Sequence, residues 1–276
     1  MNLKTAKLQK HFYMYCALFY ANNRTLGYKE WVSDLRDKVV AILEKNNIYK
    51  LDMPMHSYHY LMGLFNPNGY KDNGYEMKLG AKILDYVDQL SQIDELQKLR
   101  KEYEADFDQR LKEFEERFDD IKVFFSKHFD FEPDVKTFYL TRNWDTSGKC
   151  IVTEDDCYIL VGWKKEGINL NQILHELTHS YLDKCNLTIP DDVNFYSEKM
   201  PKEVIESYAR PSAFVEESST RAIVVYLSRL EKNITDYSLV GTDLDMLLPV
   251  KYLEVLETEK PVKFTVEYLN KLTYKK

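Results

Sequence analysis

Apolar residues recur at helical spacing through most of the first half of the chain. Up to residue 66 the repeat is clearest in Trp31, Leu35, Val39, Ile42 and Leu43, and residues 1–66 read as helical. Within them, Phe12–Ala21 is a denser apolar run whose period predicts a buried amphipathic helix. Asn66-Pro67-Asn68-Gly69 and Asp72-Asn73-Gly74 mark a loop. From Tyr75 to Phe129 a second stripe follows, mostly in steps of three and four. It comprises Leu84, Val87, Leu90, Leu96, Leu99, Tyr103, Phe107, Leu111, Phe114, Phe118, Ile121 and Phe125. An unbroken helix of that length would reach on the order of 70–80 Å at 1.5 Å per residue, so a break is expected near Ser91–Asp94. Such a stripe either packs on its own domain or offers a coiled-coil-like face to a helical partner.

Beyond Pro133 the pattern changes. Val135–Leu140, Lys149–Thr153 and Cys157–Trp163 are short, rich in β-branched and aromatic residues, and separated by turns at 145–148 and 154–156. They predict a small antiparallel sheet. Gly167 closes that region, and Asn169 opens a helix with Gln172 at the capping-box position, running to about Cys185. Further helices are expected over Pro201–Tyr208, Ala213–Glu231, Leu253–Leu256 and Val266–Leu272. The sum is an α+β fold, mainly helical, with a helical region over 1–130 and a sheet-and-helix region over 131–276.

Composition narrows the classes of function. Hydrophobic residues make up 44% and charged residues 30% of 276, enough to bury a core. The net charge is −7 and no Lys/Arg stripe stands out, which argues against a nucleic-acid partner. No stretch approaches the ~20 apolar residues of a membrane span. The four cysteines, Cys16, Cys150, Cys157 and Cys185, form no CxxC pair, so a cysteine zinc ribbon is not expected and thiols are. Lys4, Lys7 and Lys10 precede the apolar run as in a signal peptide, but its tyrosines and the lack of a small-residue cleavage site point to a cytoplasmic protein.

One segment adds chemistry to this outline: His175-Glu176-Leu177-Thr178-His179. On a helix, positions i and i+4 share a face, so two imidazoles can meet one cation while Glu176 reaches a water beside it. The opposite face, with Leu170, Ile173, Leu174, Leu177 and Tyr181, would bury the helix in a core. With 6 His in 276 residues, a chance match is expected in roughly 1 in 100 chains, so the segment outweighs composition. Zinc (Zn2+) is the expected ion, and two histidines leave it short of the three protein ligands a catalytic site takes. No histidine follows His179, so a downstream third ligand must be a carboxylate. The best supplier is the Glu216-Glu217 pair, set in apolar surroundings on the Ala213–Glu231 helix. Helical phase favours Glu216, though the helix is apolar nearly all round, and Glu198 is a more distant candidate.

Two histidines in this spacing followed by a glutamate on a second helix resemble the gluzincin branch of the zincin metallopeptidases. Phe214-Val215-Glu216-Glu217-Ser218 is similar to that branch's third-ligand segment, and the match implies Glu217 on the metal. The resemblance spans about Val135 to Leu230. It implies a zincin-like core of small sheet and active-site helix in 131–276, a peptide or protein substrate, and a zinc-bound water with Glu176 as general base. Tyr208 and Arg210 are candidates for stabilising the oxyanion. Asp183 could orient an imidazole. His56 and His59 form another helical pair, and Tyr158–Trp163 could take a peptide by strand addition. Two other readings keep the site: a zinc hydrolase of a non-peptide amide or ester, and an interaction protein on a zincin scaffold with a structural metal.

Overall fold

The computed structural model describes residues 1–21, 30–51, 70–72, 75–77, 81–144, 148–153, 156–162, 170–189, 211–231, 238 and 247–273. The chain forms two compact units. One gathers Leu3–Arg117 with Phe138–Asn169, the other Met1–Asn2, Phe118–Thr137 and Leu170–Lys276. The fold is α+β and mainly helical, as the pattern implies.

The first of these units contains β1 (Asn2–Thr5), α1 (Gln9–Ala21), α2 (Glu30–Lys45), the strand pair β2 (Tyr70–Asp72) and β3 (Tyr75–Met77), α3 (Ala81–Ser91) and α4 (Asp94–Glu115). It also holds β4 (Thr137–Asn143), β5 (Lys149–Val152) and β6 (Asp156–Gly162). α1 is its centre, and it is not amphipathic: every residue from His11 to Tyr20 is buried. A helix apolar on all sides needs cover on all sides, and α2 and α3 both pack on it. Two phenols in this core reach main-chain acceptors, Tyr20 to Ile48 O at 2.9 Å and Tyr86 to Tyr49 O at 2.7 Å.

The 75–129 stripe divides into α3, α4 and α5 (Phe118–His128). The first break falls where expected, at 92–93, where Ser91 Oγ and Gln97 Nε2 hold the turn through main-chain carbonyls. Val87, Leu90, Leu96 and Leu99 of the stripe belong to the same core as α1. Ile121 and Phe125 are buried in the other unit.

Two expectations for the N-terminal half need correction. Residues 2–5 form a strand and not a helix, and Tyr70–Asp72 pairs antiparallel with Tyr75–Met77, where a helix was read from Tyr75. β1 lies beside β4, and Ala6 N donates to Leu140 O at 2.9 Å. That pairing gathers the sheet with the N-terminal helices in one compact unit. The sheet runs β1-β4-β6-β5. β5 and β6 are antiparallel, with Cys150 opposite Ile159, and the sheet as a whole is mixed, with β6 between the consecutive strands β4 and β5. An interior strand has both edges paired, so Tyr158–Gly162 is not placed to accept a peptide by strand addition. The four cysteines are thiols, with Cys150 Sγ and Cys157 Sγ 2.8 Å apart.

The other unit is built from α5, α6 (Leu170–Leu182), α7 (Pro211–Leu230), α8 (Leu247–Glu259) and α9 (Val266–Leu272). α7 packs against both α6 and α8. Pro211 opens α7 and Pro249 lies in the first turn of α8, where a missing N–H costs nothing. Thr265 caps α9, its hydroxyl accepting from Tyr268 N at 2.9 Å. The expected helix at Pro201–Tyr208 lies outside the described residues. Among those described, no helix is long and apolar enough to cross a membrane.

Candidate metal centre

α6 is anchored by its apolar face. Ile173, Leu174, Leu177, Tyr181 and Leu182 are each exposed by 2% or less. Phe125 stacks on Tyr181 with ring centroids 4.8 Å apart, and Phe129 approaches the same ring at 4.5 Å. Such close aromatic packing fixes the end of the helix that carries His179. On the other side of α6 the imidazoles of His175 and His179 converge, with Nε2 atoms 3.1 Å apart. Glu176 between them is buried, and its charge reaches His179.

α7 brings the carboxylates. Its interior residues Phe214, Val215, Ser218–Thr220 and Ala222–Ser228 are all buried, so the helix is locked along most of its length. From it Glu217 reaches the paired imidazoles: Oε2 lies 3.2 Å from His179 Nε2 and Oε1 lies 3.4 Å from His175 Nε2. Glu216 takes the other side of His179, with Oε1 2.7 Å from Nδ1. Thr220 Oγ1 stands 3.4 Å from the same nitrogen. The two glutamates thus divide the roles that the sequence left open between them. One faces both Nε2 atoms; the other fixes the ring orientation through Nδ1, the arrangement that steers Nε2 toward a cation. Asp183, a candidate for that orienting role, lies just beyond the end of α6, where burial and the charge of Glu216 push its carboxyl up to about 6 against the opposing charge of His179, while Glu216 makes the contact to His179 Nδ1.

The electrostatics follow from this crowding. Burial opposes charge on His179, but the hydrogen bonds to Glu216 and Glu217 outweigh it and hold the imidazolium well above the usual histidine range. Burial likewise opposes the Glu217 carboxylate, but His175, His179 and Arg221 together hold it well below the usual carboxylate range. The cluster therefore has a strong field for positive charge. A proton on His179 meets that demand in part, and a divalent cation meets it more fully.

The donor atoms fit such a cation. One donor atom from each of His175, His179 and Glu217 lies within 4.8 Å of the others. A tetrahedral ion with bonds of 2.0–2.1 Å has ligand atoms about 3.3 Å apart; the two Nε2 atoms are 3.1 Å apart and Glu217 Oε2 is 3.2 Å from His179 Nε2, while the 3.4 Å approach to His175 Nε2 is made by the other carboxylate oxygen, Oε1. Two imidazoles and a carboxylate form the nitrogen–oxygen set that suits zinc with one position open. Comparison of the chain with protein-family models, with curated proteins and with solved structures finds no match. The site is therefore read from its own residues.

Of the remaining sequence candidates, Glu198, Tyr208, Arg210, His56 and His59 lie outside the described residues. Sequence reasoning passed over Arg221, which binds Glu217 one turn along α7. The signal was present as a Glu-x-x-x-Arg spacing, which places the two side chains together on a helix.

Proposed function

We propose that this protein is a zinc-dependent hydrolase, most simply a metallopeptidase of zincin type, with His175, His179 and Glu217 as ligands and Glu176 as general base. The single observation that carries the reading is the convergence of both Nε2 atoms and the Glu217 carboxylate, with one donor atom from each of the three residues within 4.8 Å of the others. The zincin reading rests on the two helices of the site, because the site helix and the four-stranded sheet fall in different compact units. A zinc ion held there supplies Lewis acidity to a substrate carbonyl and to an adjacent water. With the ion bound, Glu176 would accept a proton from that water on its carboxylate and return it to the leaving amine. Glu216 keeps the His179 ring aimed throughout.

The reading is tested by pairing metal content with hydrolysis of fluorescein-labelled casein and of a nitrophenyl ester. His175→Ala should lose stoichiometric zinc. Glu176→Gln should keep zinc and lose turnover by about 10²–10⁴-fold, the usual contribution of a positioned base. Ester cleavage without casein cleavage would move the substrate to a non-peptide class. Full zinc occupancy in His175→Ala would refute the ligand assignment, and zinc retained with no Glu176-dependent hydrolysis of either probe would favour a structural ion on an interaction scaffold.

A further inference from the structure

Glu217 has two carboxylate oxygens, and α7 treats them differently. Arg221, one turn further along, donates to Oε1 from Nε at 2.7 Å and brings a terminal guanidinium nitrogen to within 2.6 Å of the same atom. Oε2 takes neither bond and lies 3.2 Å from His179 Nε2. The two side chains are only 17% and 13% exposed, so the pair is weakly screened and geometrically fixed. An oxygen that accepts two charge-assisted hydrogen bonds has its lone pairs committed and little density left for a cation. Distance alone would not keep it away, because Oε1 lies 3.4 Å from His175 Nε2.

From this asymmetry we propose that Arg221 is a positioning residue that limits Glu217 to one coordinating oxygen, Oε2, and so keeps a coordination position free for water and substrate. The proposal rests on the metal reading above. It differs from an ordinary ion pair one helical turn apart, which adds a few tenths of a kcal/mol and leaves the site unaltered. Without the guanidinium, Glu217 turns both oxygens inward and fills the position the reaction needs. Lysine is not an adequate substitute, because a single ammonium cannot reproduce the two-pronged grip.

Cobalt(II) titrated into the full chain reads this directly, since its visible absorption is strong in four-coordinate sites and severalfold weaker when a fifth donor binds. The wild type should give the strong spectrum. Arg221→Met should give one severalfold weaker at full occupancy, and Arg221→Lys an intermediate one. Should Arg221→Met fail to fold, Arg221→Gln is compared in its place with the same expectation. Spectra identical to the wild type in the folded variants would overturn the role of Arg221 while leaving the metal site standing. A wild type that takes up no cobalt would instead overturn the metal reading, and the role of Arg221 with it.

Discussion

His11 and His179 both sit on helices against an apolar interior, and their surroundings drive them in opposite directions. His11, on α1, is buried among aromatic and aliphatic side chains, with Tyr15 edge-on at 5.2 Å. Burial lowers its pKa to about 3, a main-chain hydrogen bond to Arg142 opposes this only in part, and the charges of Lys149 and Arg142 add to the depression. Its Nε2 has no hydrogen-bond partner in the described structure. His179, on α6, meets carboxylates at both ring nitrogens and holds its proton tightly. Residue type and burial are thus poor guides to role. What separates this pair is that a second element, α7, delivers anionic oxygen to the ring of His179.

This contrast can be broken at either end. Zinc at 100 times its Kd should stabilise the folded wild type by about 2.7 kcal/mol. The gain should vanish in Glu217→Gln and persist in full in His11→Phe, read as thermal shifts with and without metal. A shift lost in the His11 variant instead would place the cation in the wrong unit. The next effect concerns acid. The unfolded chain binds a proton on His11 near pH 6.5, and the folded chain does so only near pH 3. Stability from this group is therefore complete above pH 6.5 and drains away as the pH falls toward 3, reaching a loss of about 2 kcal/mol by pH 5. In urea unfolding at pH 7 and pH 5, His11→Phe should show a correspondingly smaller difference, and an unchanged difference would contradict the buried neutral state. The smallest effect is at Glu216. Glu216→Gln removes the charge on His179 Nδ1 and should weaken zinc binding at least tenfold, about 1.4 kcal/mol, whereas Asp183→Asn should leave affinity within twofold. Equal losses in the two variants would erase the distinction drawn between them.

How far the sequence foretold this arrangement depends on whether the information was local. The imidazole pair was legible because both residues lie on one helix whose apolar face is unambiguous. The choice between Glu216 and Glu217 was not, because α7 is buried nearly all round and its phase carries no direction. The break after Ser91 was readable, but the one at Glu116-Arg117 was not, since neither residue is a helix breaker. β1 escaped notice for a different reason: four residues alternate too briefly to register, and their partner β4 lies more than 130 residues away. The strands Tyr70–Asp72 and Tyr75–Met77 had a turn signal between them in the sequence Asp72-Asn73-Gly74, but strands of three residues have no period to detect.

The central claim is that a cation joins α6 to α7, and anomalous diffraction at the zinc absorption edge tests it most directly. With zinc supplied, the account predicts one strong peak within bonding distance of His175 Nε2, His179 Nε2 and a single Glu217 oxygen. An empty map at that point, or a peak bound by only one of the two imidazoles, would contradict it.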